Sequence, residues 1–329
     1  MMAPRIPQRQ SRFTLESITV GFEKLLYRVV IAPLVALLPA RLAYGVACLY
    51  GNWSYWLDAA KRKQIIFNLE GVFGDQLSPA ERVCVARDLF RRRACQSIDA
   101  MRLAGRGRAL ARLVEIHGLE HIKTALASGK GVVICYAHFG SYVSCCTLLG
   151  AYGFPITAVG DLRSNPILSL LNRLFRRLGI AKRRPHHLRR PNIEPLKGQV
   201  EAAMQMAEVL RANEAITIAI DVPVPPKDRA HAVTVDFLGR QIPLLPGSVS
   251  IAQHTGSPVL VLIALRSPDW RHQVVEISPV PLDGDIETDF KRCVAMVEAP
   301  IRQNLAQWDG CLNTQALVTL GLLSTEGQH

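Results

Sequence analysis

GLEHIKTALASGKGVVICYAHFGSY, residues 118–142, is the stretch whose reading decides the fold. A segment with helical spacing runs into the continuously apolar strand Val132 to Ala137, then a short turn, then another apolar helix ending near Gly150. The same alternation extends in both directions. Strands are expected at Pro155 to Gly160, Ala215 to Asp221, Pro258 to Leu265 and His272 to Val280. Helices are expected at Ile167 to Gly179, Val200 to Asn213, Ser248 to Gly256 and, closing the domain, Asp289 to Trp308. Short strands that are apolar on both sides and alternate with helices belong to a sheet covered on both faces. The expected fold is therefore α/β, with a mixed or mostly parallel sheet flanked by helices and an N-terminal helical membrane-associating region.

The chain has 329 residues, 49% of them hydrophobic, which is enough for a large core and excludes a disordered protein. Lysine and arginine total 39 against 27 acidic residues, a net charge of +12 that favours anionic partners such as phospholipid headgroups, an acidic carrier protein or nucleic acid. The eight cysteines form no C-x-x-C pair and read as buried free thiols. His117 with His121, and His186 with His187, lack nearby cysteine or carboxylate ligands at useful spacing, so no metal is expected.

Upstream of the α/β pattern lies VVIAPLVALLPA, Val29 to Ala40, interrupted by Pro33 and Pro39. Twelve residues of helix reach about 18 Å, short of the roughly 30 Å of hydrocarbon in a bilayer. A second apolar segment, Leu42 to Leu57, carries tyrosines and tryptophans of the kind that settle at membrane interfaces. An interfacial anchor and a pair of buried core helices both fit these segments. Ala59 to Leu103 is helical by spacing, and Ser78-Pro79-Ala80-Glu81 has the pattern of a capped helix start. The organisation is thus a basic segment with membrane-associating helices over 1–57, a helical region over 58–113, an α/β domain over 114–312 and a tail over 313–329.

Functional groups of open α/β sheets stand on loops beyond the carboxyl ends of the strands. His138 follows the strand at Val132 to Ala137, and Gly140 lets the backbone turn so that the imidazole projects above the sheet. Ser141 has the place of a cap on the next helix. A neutral imidazole there has the chemistry of a general base. Asp221 and Asp161 each follow a strand and can face the same crevice; each is equally an ordinary strand-end acid.

The segment 118–142 resembles the core block of the bacterial lipid A late acyltransferases, a branch of the lysophospholipid acyltransferase superfamily. Upstream, RKQIIFNLEGVFGDQLSPAERVCVARDLF is similar to the family's helical region with its Asn-Leu pair, here Asn68 and Leu69. Downstream, VGDLRSNPILSLLNRLFRRLG resembles the block with an arginine, an Asn-Pro pair and a later arginine, and IAIDVPVPP with VDFLGRQIPLLPGSVSIAQHTGSPVLVLIALR resembles the block with an aspartate and a following turn and helix. The ordered set covers most of residues 25 to 310. It implies transfer of a fatty acyl group from an acyl-carrier-protein or acyl-CoA thioester to a hydroxyl or amine, without metal or organic cofactor, at the cytoplasmic face of the bacterial inner membrane.

One feature of that family is missing. Its hallmark is a histidine followed, after four residues, by an aspartate or glutamate, and the residue at that place is Val143. Three explanations stand: another carboxylate substitutes, with Asp221 and Asp161 the candidates; the acceptor is nucleophilic enough to need none; or the protein binds lipid or carrier without catalysis. Arg163 and Arg176 or Arg177 match the family's arginine block and, with Gly140 and Ser141, are the candidate substrate-binding residues. Seven Lys/Arg and no acid fall between Arg176 and Arg190, a docking surface for an acidic carrier or anionic lipid. Nucleic acid is the rival partner, but the run lacks interleaved aromatics and belongs to no known nucleic-acid module.

Overall fold

Six strands form one sheet: β1 (Val114–His117), β2 (Val132–Tyr136), β3 (Ile156–Val159), β4 (Ala215–Ala219), β7 (Val259–Arg266) and β8 (Gln273–Pro279). Their order is β1-β8-β7-β2-β4-β3, and every adjacent pair is parallel except β7 with β8. The mixed, mostly parallel sheet expected from the alternation is the sheet found. These relations come from a computed structural model, which describes residues 23, 25–160, 193 and 199–323. A separate antiparallel hairpin, β5 (Val233–Phe237) with β6 (Arg240–Leu244), turns at Leu238-Gly239. Neither β1 nor this hairpin is prominent in the sequence, because β1 is four residues long and the hairpin strands mix apolar with polar residues.

Both faces of the sheet are covered, and β2 shows how. Val133, Cys135 and Ala137 join one apolar cluster, while Val132 and Ile134 join another on the opposite side. Side chains of successive strand residues point to opposite faces, so an unbroken apolar run is what two cores require.

The described chain before β1 is helical. A π turn at Tyr27–Ile31 leads into α1 (Ala32–Val35), then α2 (Ala40–Leu57), α3 (Ala59–Phe73) and the 33-residue α4 (Pro79–Ala111). The single stretch expected from Ala59 to Leu103 is two helices, separated at Gly74, whose positive φ of 49° no β-carbon readily tolerates. Helix α4 starts as its pattern suggests: the Ser78 amide donates to Glu81 Oε2 at 2.7 Å and the Glu81 amide to Ser78 Oγ at 3.3 Å. Among the described residues no helix is long and apolar enough to cross a membrane.

Helices α5 (Leu119–Ala127), α6 (Tyr142–Ala151), α7 (Gln199–Arg211) and α8 (Gly247–Thr255) lie between strands, followed by α9 (Ile286–Gln303) and α10 (Thr314–Leu320). The closing helix is shorter than its apolar spacing suggests. It ends at Gln303 rather than Trp308, and two 3-10 turns, Leu305–Gln307 and Asp309–Leu312, bring the chain back across the sheet. Asn304, at φ −137°, leaves the helical region immediately after the turn containing Pro300. All eight cysteines are free thiols, but only five are buried, and Cys84 is exposed.

Candidate active site

The register of the two central strands builds the site. β2 and β4 are adjacent and parallel, with Tyr136 opposite Ala219. His138 and Asp221 each lie two residues beyond that pair, so the two side chains emerge next to one another at the carboxyl end of the sheet. His138 Nδ1 is 2.8 Å from Asp221 Oδ1. The amide of His138 also donates to both carboxylate oxygens, at 3.1 and 3.0 Å, and the indole Nε1 of Trp308 donates to Oδ2 at 3.0 Å. Asp221 is almost wholly enclosed, with 3% of its side chain exposed, while 37% of the His138 side chain is open to solvent.

Electrostatics follow from that enclosure. Burial works against charge on His138, but the Asp221 carboxylate, its hydrogen bond and the charge of Asp309 outweigh it, and the imidazole titrates above its ordinary value. Burial likewise pushes Asp221 up, yet the His138 charge and the hydrogen bonds from His138 and Trp308 prevail and hold it below the usual aspartate value. An ionised Asp221 accepts the proton of Nδ1, which assigns the neutral ring's lone pair to Nε2. The pair is thus arranged as a base with its orienting carboxylate.

The loop carrying His138 is held from behind. Phe139 and Trp308 form an antiparallel bridge, in which the Asp309 amide donates to the His138 carbonyl at 2.8 Å and the Gly140 amide to the Gln307 carbonyl at 2.7 Å. Gly140 turns at φ +60°, and a β-carbon there would run into the Ala264 carbonyl. Two residues of α4 reach its carbonyl, Arg92 at 3.3 Å and Gln96 at 2.8 Å. The fully buried Arg92 also pairs with Asp309 and donates to the Ala306 carbonyl at 3.2 Å.

A second buried network lies beside the first. Arg266, the last residue of β7, pairs with Asp99 of α4, both side chains being fully buried. Tyr44 of α2 donates to Asp99 Oδ1 at 2.6 Å. Ser141 precedes α6, but it does not cap that helix as its position suggests. Its hydroxyl donates to Asp99 Oδ2 at 3.3 Å and accepts from Arg266 at 2.7 Å, because these buried charges are stronger partners than the amides of the next turn.

Of the candidate residues read from the sequence, His138, Asp221, Gly140 and Ser141 come together here. Val143, in the first turn of α6, is 47% exposed. Asp161, Arg163, Arg176, Arg177 and the basic run to Arg190 lie outside the described residues. Asn68 is away from the site: its side chain donates to the Cys311 carbonyl at 3.0 Å and accepts from Thr314 at 2.9 Å, tying α3 to the segment before α10. Trp308, Arg92, Asp99 and Arg266 were not evident as site residues. Arg92, Gln96 and Asp99 share one face of α4 by their spacing of four and three, but the neighbouring Arg91, Arg93 and Arg102 make that stripe indistinguishable from a solvated face in the sequence. Among the described residues no cluster of histidine, cysteine and acidic side chains is placed to hold a metal ion.

A partly exposed histidine hydrogen-bonded to a buried aspartate at the carboxyl ends of adjacent parallel strands is an arrangement with the chemistry of a general base. The chain belongs to the bacterial lipid A biosynthesis acyltransferase family, whose model matches residues 19–309. No curated protein matches it as a relative.

Proposed function

We propose that the protein transfers a fatty acyl group from a carrier-protein or coenzyme A thioester to a hydroxyl or amine of a lipid acceptor, with His138 as general base. The observation that carries this reading is the His138 Nδ1 to Asp221 Oδ1 hydrogen bond at 2.8 Å. Nε2 takes the proton from the acceptor as its oxygen or nitrogen attacks the thioester carbonyl. The tetrahedral intermediate then expels the thiol sulfur, which receives that proton, so acyl-thioester and acceptor become acylated product and free thiol. Asp221 orients the ring and stabilises the imidazolium, the task that the family's acid performs from the position held here by Val143. Arg163, Arg176 and Arg177 are assigned to the phosphate groups of the donor or acceptor.

The reading includes attachment to the cytoplasmic face of the inner membrane. Leu42, Leu49, Trp53 and Trp56 are exposed along one stripe of α2, continuing from exposed Leu34, Leu37 and Leu38. Leucine and tryptophan in such a stripe, with Arg62 stacked 5.6 Å from the Trp56 ring, suit an interface of acyl chains and headgroups.

Incubating the purified protein with acyl-carrier and acyl-CoA donors and a membrane extract, followed by mass spectrometry of the lipids, tests the reading. New acylated lipid that His138→Ala fails to form supports it. Val143 in place of the motif acid favours a second reading, a binder without catalysis, and donor binding with no product in any extract would establish that instead.

A further inference from the structure

Asp221 starts the segment DVPVPP, and the prolines at 223, 225 and 226 deprive its own loop of amide donors. Its carboxylate is therefore dressed from elsewhere. Among the described residues, its hydrogen bonds come from His138 and from Trp308 alone. The His138 amide is shared between both oxygens and does not distinguish them. The indole does: it holds Oδ2 and so leaves Oδ1 facing Nδ1 of the base. The indole itself is fixed, being fully buried, edge-on to Phe237 at 5.7 Å, and bridged through its own backbone to Phe139, the neighbour of His138.

We infer that Trp308 is a positioning residue, whose indole N–H locks the Asp221 carboxylate in the rotamer that presents Oδ1 to His138. The inference rests on His138 being the base. An aspartate supplied from a neighbouring strand needs such a stay, because its position relative to the histidine is not fixed by a shared loop and helix as the family's motif acid is. By keeping Oδ1 against Nδ1, the same hydrogen bond sustains the pull of the carboxylate on the imidazolium. Other groups facing the imidazole are Asp309, which Arg92 partly neutralises, and the rings of Tyr136 and Tyr142, centred 6.3 and 5.1 Å away. None of them bonds the Asp221 carboxylate.

The test replaces Trp308 with 3-benzothienylalanine, which keeps the ring shape but exchanges N–H for sulfur, and separately with Phe. The isostere should melt with the wild type, lower kcat about ten- to a hundredfold and leave the donor KM unchanged. The acid limb of kcat/KM should move to lower pH, since a carboxylate free to turn away from Nδ1 holds the imidazolium less strongly. A titration of 15N-labelled histidine should show the same fall at His138 whether or not turnover is measured. An isostere with wild-type kcat, acid limb and His138 titration overturns the inference, even if Trp308→Phe loses activity by unfolding. His138→Ala separates the two claims, because transfer surviving that change overturns the base and not the hydrogen bond.

Discussion

The site and the N-terminal helices invert the usual distribution of residues in opposite senses. Around the His138 loop, Arg92, Asp99, Asp221 and Arg266 are buried, whereas in α1 and α2 and the turn between them leucines and tryptophans face outward. Charged residues are almost never fully buried unless paired, and contiguous exposed apolar surface marks a contact site. Each inversion costs stability. The difference is in what satisfies them. The buried charges find their partners inside the chain, at hydrogen-bond distance, while the stripe stays exposed among the described residues.

His138→Ala should show the largest effect, lowering transfer on the order of a thousandfold or more while thermal melting and vesicle binding stay as in the wild type. Loss of vesicle binding in this variant would mean that the two regions are not separable. Arg266→Met strands the Asp99 charge in the interior and should cost about 3–5 kcal/mol in urea unfolding, against less than about 0.5 kcal/mol for Leu49→Ser on the exposed stripe. Equal costs would erase the contrast between the regions.

Asp221→Asn should lower kcat on the order of a hundredfold and move the acid limb of kcat/KM to lower pH. The sign follows from what opposes what at His138: burial favours the neutral ring and Asp221 the charged one, so removing the carboxylate's charge leaves burial dominant. A limb that rises would show that Asp221 does not set the titration. The smallest effect belongs to the stripe. Leu49→Ser with Trp53→Ser should weaken binding to vesicles of anionic and zwitterionic phospholipid about tenfold or more in sedimentation, at about 1 kcal/mol for each side chain, without altering the melting temperature. Unchanged partitioning would return these residues to ordinary surface.

Much of the sheet was legible because strands apolar on both faces have few other places to go. The strand ends then located His138 and Asp221, but the sequence left both Asp221 and Asp161 as candidates for the missing acid. What brings Asp221 to His138 is register, which fixes Tyr136 opposite Ala219 and is set by the pairing of strands some 80 residues apart. Trp308 was hidden for another reason. Its segment continues the apolar spacing of α9, and only the break at Asn304 returns the indole to the site. Arg92 and Asp99 were obscured by their own polarity, since charged residues in a long helix ordinarily face solvent. The sequence offered the exposed stripe of α2 equally as a core element, because apolar periodicity identifies a face without identifying what covers it.

Helix α4 is the common wall of both regions. Gly51 of α2 packs against its backbone at Phe90 and Arg91, Asn52 bonds Arg91 at 2.8 Å, and within the next turns Arg92, Gln96 and Asp99 reach the loops of the site. The consequence concerns recombination. A hybrid that takes its first helices from one protein and its sheet from another cannot be joined cleanly on either side of α4, since this one helix must fit both donors. A viable crossover would have to carry α2 through α4 together with the 306–309 segment that Arg92 grips, two stretches nearly 200 residues apart in the gene's order. Inheritance of the N-terminal helices and of the His138 loop is therefore tied by packing, although nothing in the linear order of the chain places them side by side.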